Sequence, residues 1–315
     1  MKQVYSVMGM LAAMGIAQAD IIESNANYTN ATIVANNETV RFTYIDNNVD
    51  PETGQQSLTH TRFSQTKLTA QNMGNIEMEN SMMLMNNSEL KVDATSTAEF
   101  GGISLDNTSK IQNNGNITTD YIIIKGAEVT NTGTITGKED NWELLQLSAG
   151  ASFYNYGVVT NYTSLVGGSC FYAMDGSTMG DVDTGIFYGE PDDTSTLYIE
   201  GSVTMTGDLC VYEHSQIVFT LDSTLDMQNN TISIEDGQLV LKLDYDLDDT
   251  TSVYKKDFFL NYSVSEYSDD IVVTVIGTNN YSREMTLQEL SVPEPTTATL
   301  SLLALAALTT RRRRK

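Results

Sequence analysis

Two acidic segments of the chain contain the residue types that bind calcium. Residues 244–249, DYDLDD, begin like an EF-hand loop, but position 6 is Asp249 instead of glycine and position 12 is Lys255 instead of glutamate. Residues 175–185, DGSTMGDVDTG, place three aspartates among flexible glycines. They are Asp175, Asp181 and Asp183. We expect an acidic strand and turn in the first segment, a loop with at most weak surface affinity for calcium in the second, and no cofactor.

Histidine-dependent catalysis has little support in this sequence. The two histidines are His60, in a polar stretch, and His214, in VYEHSQ between two strand-like runs. Neither of them lies next to a nucleophile motif of the form G-x-S-x-G. Because the chain has 41 acidic residues, carboxylate pairs at a spacing suited to glycoside hydrolysis will arise by chance. We therefore expect exposed turn histidines and a protein that is not an enzyme.

The two cysteines, Cys170 and Cys210, are too few for a zinc site. Their separation of 40 residues is close to two turns of the repeat described below, so they could stack on one side of the molecule. In an exported chain that arrangement makes a single disulfide a candidate. Two separate buried thiols are the alternative, because an unpaired cysteine behaves as a small hydrophobic residue.

The first 19 residues have the layout of a secretory signal peptide. Lys2 precedes an apolar stretch over residues 4–16, and Ala17-Gln18-Ala19 follows it. A basic start, an apolar centre and an A-x-A exit define such a signal. The sequence predicts cleavage after Ala19 and export of the chain that begins at Asp20.

The last 24 residues combine three elements in order. Val292-Pro293-Glu294-Pro295 comes first, and an apolar run with its threonine flanks occupies residues 296–310. A cluster of basic residues ends the chain: Arg311, Arg312, Arg313, Arg314 and Lys315. The run would span about 22 Å as a helix, against roughly 30 Å of hydrocarbon, so it is short for a permanent anchor. The basic cluster would stop transfer and stay on the cytoplasmic side.

This tail resembles a PEP-CTERM sorting signal. The resemblance implies that an exosortase, a membrane cysteine protease or transpeptidase, recognises Pro293-Glu294-Pro295 and removes the tail. It further implies export, transient anchoring in the inner membrane of a Gram-negative cell through 296–310, and release to the cell surface or extracellular matrix. The sortase motif LPxTG is absent, and a GPI signal normally ends in an apolar segment. The likeness covers only the tail.

The formal net charge of −24 limits the partners of the main body. Such an acidic chain repels nucleic acid and anionic lipid, so we expect neither as a partner. The partners that we expect are the exosortase, and exopolysaccharide or other envelope components.

A weak repeat, N-x-G-x-[IV], runs through the middle of the chain. Its copies occupy residues 72–76, 113–117, 131–135 and 155–159. A period close to 20 residues is typical of a β-solenoid, in which each turn stacks on its neighbours. We expect asparagine and glycine to supply left-handed backbone at the bends, and the following Ile or Val to point inward. Degenerate copies are expected at residues 86–90 and 200–203.

The predicted fold is therefore all-β, a right-handed β-helix or β-solenoid, with a β-sandwich of long hairpins as the alternative. Strand-like runs occupy residues 119–126, 195–207, 215–227 and 230–247, and several of them alternate polar and apolar residues. Apart from the two termini, no long segment has a helical period.

The predicted organisation has five parts. These are a signal peptide (1–19), an N-terminal cap (20–70), solenoid repeats (71–238), a C-terminal β cap (239–291) and the sorting signal (292–315). Within the caps we expect a hairpin with its turn at Asn36-Asn37 and another turn at residues 278–280. The body resembles the passengers of autotransporter-type proteins in its cadence of short strands.

The expected function is that of an exported structural or adhesive protein of the cell surface or matrix. The alternative is a protein that binds or degrades polysaccharides on the same scaffold. A cleft with several aromatic side chains and converging carboxylates would favour the alternative. A long uniform face of Asn, Thr and Ser would favour the structural role.

Overall fold

Short strands with alternating buried and exposed side chains make up the folded body. The computed structural model describes residues 20–23, 27–43, 61–138, 143–185, 193–220, 223–228, 230–234, 237–248 and 272–286. In these ranges every regular element is a strand. The signal and sorting segments, His60, Asp249 and Lys255 lie outside them.

Thirty strands occur in the described residues. They are β1 (Asp20–Glu23), β2 (Asn27–Thr29), β3 (Thr32–Asn36), β4 (Thr39–Thr43), β5 (Thr61–Ser64), β6 (Lys67–Gln71), β7 (Asn75–Met85), β8 (Glu89–Val92), β9 (Thr97–Leu105), β10 (Lys110–Asn113), β11 (Asn116–Thr119), β12 (Tyr121–Lys125), β13 (Glu128–Asn131), β14 (Thr134–Thr136), β15 (Leu144–Ser148), β16 (Ser152–Asn155), β17 (Val158–Val159), β18 (Tyr162–Leu165), β19 (Cys170–Ala173), β20 (Thr178–Met179), β21 (Val182–Thr184), β22 (Ser195–Ile199), β23 (Ser202–Met205), β24 (Leu209–Val211), β25 (Ser215–Thr220), β26 (Thr224–Asp226), β27 (Ile232–Ile234), β28 (Gln238–Lys242), β29 (Val272–Ile276) and β30 (Ser282–Thr286).

The strands form three parallel ladders, and each coil from β1 to β28 contributes one segment to each ladder. Ladder 1 runs through β1, β4, the first half of β7, the first half of β9, β11, β14, β17, β20, β23 and β26. Ladder 2 runs through β2, β5, the second halves of β7 and β9, β12, β15, β18, β21, β24 and β27. Ladder 3 runs through β3, β6, β8, β10, β13, β16, β19, β22, β25, β28 and β29. The chain is therefore a parallel β-solenoid, and the predicted fold class is confirmed.

The interior of the solenoid consists of columns of equivalent apolar side chains. In ladder 1 one column contains the Ile or Val that ends each copy of the sequence repeat. Its members, with the residues that continue it, are Ile76, Ala98, Ile117, Ile135, Val159, Met179 and Met205, and all are buried. Stacking like on like places each side chain against its equivalents in the coils above and below, which removes it from water. The inward direction predicted for the repeat's Ile and Val is confirmed.

The N-terminal part of the chain does not form the predicted hairpin. Asn37 has a left-handed backbone, with φ 55°, so a bend does occur there. However, β3 pairs with β6 in ladder 3, whereas β4 pairs with β1 and β7 in ladder 1. The two strands on either side of the bend thus belong to different sheets, and the hairpin prediction is wrong. Parallel stacking already includes residues that the sequence had assigned to a cap.

The C-terminal end of the stack is closed by a change of strand direction. β28 and β29 continue ladder 3 in parallel, over residues that the sequence had assigned to a cap, and β30 then pairs antiparallel with β29. The turn predicted at residues 278–280 is confirmed, with Asn280 at φ 60° and its N–H donating to the Gly277 carbonyl at 3.0 Å. This is the only antiparallel pairing among the described strands, so a β-sandwich of hairpins is excluded for this region.

Candidate functional site

Carboxylates at the corners of the coils bind the backbone of neighbouring coils. Asp93 accepts the backbone N–H of Asn72 at 2.7 Å, and Asp106 accepts that of Asn86 at 2.7 Å. The Ser96 hydroxyl and the Asn72 N–H are the largest causes that lower the pKa of Asp93 to about 2. These hydrogen bonds tie one coil to the next. Because hydrogen bonds favour the charged form of a carboxylate, they also keep the side chain ionised.

Two of the three aspartates of the candidate calcium segment have the same role, and all three accept hydrogen bonds from neighbouring coils. Asp175 accepts the N–H of Ser202 at 2.8 Å, and Asp181 accepts that of Asp208 at 2.7 Å. Asp183 accepts the hydroxyl of Tyr162 on the outer face of ladder 2. Each carboxylate is thus directed to a protein donor, and the described residues contain no group of three His, Cys, Asp or Glu side chains that could hold a metal ion.

The acidic segment at residues 244–248 likewise packs against protein. The Asp246 carboxylate accepts the hydroxyl of Thr278, and the Asn279 side chain donates to the carbonyl of Leu247 at 3.0 Å. These contacts hold the segment against the β29–β30 turn. The strand expected in this segment is wrong, because β28 ends at Lys242 and residues 244–245 form a bend; Asp249 and Lys255 lie outside the described residues.

His214 is an exposed turn residue, as expected. It has a left-handed backbone with φ 57°, and its Nε2 lies 3.4 Å from Glu213 Oε1. The carbonyl of His214 accepts the N–H of Ser195 at 3.0 Å. The backbone of His214 thus forms a bend between two strands, which accounts for this residue without a catalytic role.

The candidate disulfide between Cys170 and Cys210 is not formed. Both thiols are free, and each is half-buried. Cys170 lies in β19 of ladder 3, opposite Ser152 and Thr196, whereas Cys210 lies in β24 of ladder 2. The predicted stacking on one side is wrong because the spacing of 40 residues does not equal two coils at this place. Burial raises the pKa of both thiols.

An internal column of asparagines explains the sequence repeat. Asn113, Asn131 and Asn155 occupy one register position of ladder 3 and are fully buried. The Asn113 side chain donates to Asn131 Oδ1 at 2.7 Å, and the Asn131 side chain donates to Asn155 Oδ1 at 2.8 Å. We call this column the asparagine ladder. Buried amides are retained only when their hydrogen bonds are made, so the ladder fixes the register of three coils.

The glycine of the repeat is required by close packing. A Cβ atom on Gly133 would lie 2.0 Å from the Gly115 carbonyl oxygen, and one on Gly157 would lie 2.0 Å from that of Gly133. None of these three glycines has a positive φ, so the expectation of left-handed glycines at the repeat is wrong. In the first copy, residues 72–76, the left-handed backbone belongs instead to Asn72 and Met73.

The two degenerate copies of the repeat differ in position. Residues 200–203 lie at the same corner as the repeat, between ladders 3 and 1, with Gly201 at φ 83° and Val203 buried. Residues 86–90 lie at the corner between ladders 2 and 3, where Asn86 and Asn87 have positive φ. The second segment is therefore not a copy of the repeat.

Three tyrosines form a stack on the outer face of ladder 3. Tyr154, Tyr172 and Tyr198 share one register position. Successive ring centroids are 4.6 Å apart, with interplanar angles of 8° and 3°. The ammonium group of Lys242 lies 5.3 Å from the Tyr198 centroid, which is a cation–π distance. Burial raises the pKa of all three phenols.

The tyrosine stack was missed from the sequence, although it has a signal. An aromatic or apolar residue followed by tyrosine recurs in SFYN (152–155), CFYA (170–173) and TLYI (196–199). Because the rings lie face to face, the ring faces between Tyr154 and Tyr172 and between Tyr172 and Tyr198 cover each other. A sugar ring stacks on an open aromatic face, so this geometry suits stabilisation of the coil stack better than glycan binding.

The outer face of ladder 1 carries two rows of small, mostly polar side chains. One row contains Asn116, Thr134, Val158, Thr178 and Thr204 in register. The second row includes Thr118 opposite Thr136, whose hydroxyl oxygens are 3.5 Å apart, and continues to Thr160. Apart from Val158, the side chains named in these two rows are Asn and Thr, the composition expected for a structural role.

The residues of the sorting hypothesis are not placed by the structure. Ala17, Ala19, Val292–Pro295 and Arg311–Lys315 all lie outside the described residues. In the part of the chain that is described, no helix has the length and apolar character needed to cross a membrane. Comparisons with family models, curated proteins and solved structures found no match to this chain.

Proposed function

We propose that the chain is an exported, non-enzymatic protein of the cell surface or extracellular matrix with a structural or adhesive role. One observation carries the proposal: Pro293-Glu294-Pro295, an apolar run and a basic cluster occur in that order after a body that begins behind a signal-peptide-like segment. An exosortase of a Gram-negative envelope is the partner that this tail implies.

The solenoid supports a structural role for the body. Its corner carboxylates accept hydrogen bonds from neighbouring coils, and its outer tyrosines stack on one another. These polar and aromatic groups, which an enzyme would direct at a substrate, are here directed at the protein itself. A rod built from self-supporting coils suits a surface or matrix component.

Mass spectrometry of the protein isolated from its native cell envelope tests the sorting proposal. We expect a mature chain that starts at Asp20 and lacks peptides from residues 300–308. A double substitution, Pro293→Ala with Glu294→Ala, should keep the tail attached and hold the protein in the inner membrane. Pro191→Ala is a matched control, since Glu190-Pro191 is another Glu-Pro pair in the body of the chain. An intact tail in mature surface material would refute the proposal.

The non-enzymatic part of the proposal has a separate test. The purified mature chain is incubated with a panel of neutral and acidic polysaccharides, and the products are separated by size. We expect every polysaccharide to keep its length. Shortening of any of them by the wild-type chain would establish the polysaccharide-degrading alternative.

A further inference from the structure

We propose that the threonine face of ladder 1 is the adhesive surface, and that it binds the flat face of a neutral, ordered polysaccharide. This inference rests on the proposed function and names the partner of the structural protein. The threonine strip is defined by Thr118, Thr134, Thr136, Thr160, Thr178 and Thr204.

The strip is regular because the coils beneath it are in register. Asn116–Thr118 lies opposite Thr134–Thr136, and Thr134, Val158, Thr178 and Thr204 follow one another in the first row. Neighbouring strands are about 4.8 Å apart, and outward residues on one strand are about 6.8 Å apart. The strip is thus a lattice of equally spaced positions, interrupted by Val158 in the first row and by Gly180 beside Thr160 in the second. A ligand that contacts many of these positions at once must itself be periodic.

The strip is uncharged although the chain has a formal net charge of −24. At the two outward positions of ladder 1, the described residues contain no ionisable side chain between Glu99 in β9 and Asp226 in β26. Glu99, which lies opposite Thr118 at the border of the strip, is neutralised by an ion pair with Lys138 at 3.0 Å. A neutral ligand can approach without the loss of hydration that a buried charge would suffer, whereas an anionic polymer is repelled by the rest of the surface. Charge therefore favours an uncharged partner.

Threonine suits the surface of a sugar polymer for two reasons. Each side chain offers a methyl group, which packs against C–H groups, and a hydroxyl group, which both donates and accepts hydrogen bonds. Its β-branched side chain has few rotamers, so little conformational entropy is lost when a ligand binds. The buried column of Ile117, Ile135, Val159 and Met179 directly beneath holds the backbone of the strip in place.

A second copy of the chain is not the partner that the strip fits. Its two rows extend about 19 Å along the stack and about 7 Å across it. A stable protein interface buries about 800 Å² on each partner, which is far more than this area. A polysaccharide is bound instead through many weak contacts repeated over many protein copies on one surface.

Sedimentation with insoluble polymers tests the proposal. The purified mature chain is mixed with microcrystalline cellulose, with chitin, and with carboxymethyl cellulose resin as an anionic polymer of the same backbone. We expect retention on at least one neutral polymer and at least tenfold less on the anionic resin. Thr118→Glu and Thr204→Glu should each reduce retention at least tenfold. Thr130→Glu is the matched control, because Thr130 lies on the outer face of ladder 3 in the same coil as Thr118 and is similarly half-buried.

The outcomes separate this inference from the proposed function. Circular dichroism checks that the variants fold. If a glutamate variant does not fold, Thr118→Val is used instead, because it replaces the hydroxyl group by a methyl group and keeps strand propensity. Equal loss in Thr130→Glu, equal retention on the anionic resin, or no retention on any neutral polymer would overturn the inference. The inference would also be overturned if the chain changed the shape of growing ice crystals and was not retained on any of the polymers. Since the assay uses purified protein, its failure leaves the sorting proposal intact, and an unprocessed tail leaves this assay unaffected.

Discussion

Replacing Asn131 in the asparagine ladder by alanine should weaken the stack at the two interfaces that its coil forms with the coils before and after it. The substitution removes three hydrogen bonds: from the Asn113 side chain at 2.7 Å, to Asn155 Oδ1 at 2.8 Å and to the Val158 carbonyl at 3.2 Å. At about 1 kcal/mol net for each bond, the expected loss of unfolding free energy is about 3 kcal/mol. The Asn113 side chain keeps its bond to the Thr134 carbonyl at 3.0 Å, which limits the loss.

Urea denaturation followed by far-UV circular dichroism measures this loss. We expect a lower midpoint with an unchanged dependence on urea, provided that the stack unfolds as one unit. If unfolding splits into two transitions, the boundary should lie at one of the two interfaces on either side of Asn131, because a solenoid is stabilised by nearest-neighbour contacts. Hydrogen exchange would then locate the less protected coils.

The matched control for this experiment is Asn114→Ala. Asn114 is the next residue in the same corner, but it is exposed, and its Oδ1 accepts the Thr132 hydroxyl at 2.7 Å on the surface. Its replacement should change the unfolding free energy by no more than about 0.5 kcal/mol. Equal effects of the two substitutions would refute the view that the buried ladder fixes the register of the coils.

Two further predictions concern the tyrosine stack and the corner carboxylates. Tyr172→Leu removes two stacked ring pairs and should cost about 1–3 kcal/mol, seen as a lower melting temperature, whereas the exposed Tyr156→Leu should change little; equal shifts would contradict a stabilising stack. Because folding lowers the pKa of Asp93 to about 2, its ionised form stabilises the fold above the ordinary value near 4, and this stabilisation is lost as the pH falls towards 2. The melting temperature of the wild type should exceed that of Asp93→Asn most clearly above pH 5, and a gap that stays constant down to pH 2 would argue against this role.

The general architecture could be predicted from the sequence, because the residues that stack on one another in successive coils recur as the sequence repeat. Ile117, Ile135 and Val159 mark one interior column, and their fixed offset from Asn and Gly points to equivalent corners. The physical role of those corners was not readable. An asparagine that bonds to its own equivalent and one that adopts a left-handed backbone look the same in a single sequence.

The wrong predictions have a common cause. Alternation of polar and apolar residues identifies a strand, but it does not identify the strand with which that strand pairs. The strands on either side of Asn37 look like a hairpin, yet each pairs with a strand from the next coil. Corner lengths also vary: two residues separate Asn113 from Asn116, whereas four separate Ala70 from Asn75, although both pairs span the same corner. A fixed period therefore misaligned Cys170 with Cys210 and concealed the tyrosine stack.

The sequence separation between paired strands has a consequence for how the chain folds. Equivalent residues of successive coils, such as Asn113 and Asn131, are about one coil of chain apart, so contacts form between segments that are synthesised almost together. Folding can then advance from the first coil as the chain emerges, each completed coil serving as the template for the next, without waiting for distant segments. The antiparallel strand β30 ends this growth, because it occupies the last edge of ladder 3 with the opposite strand direction.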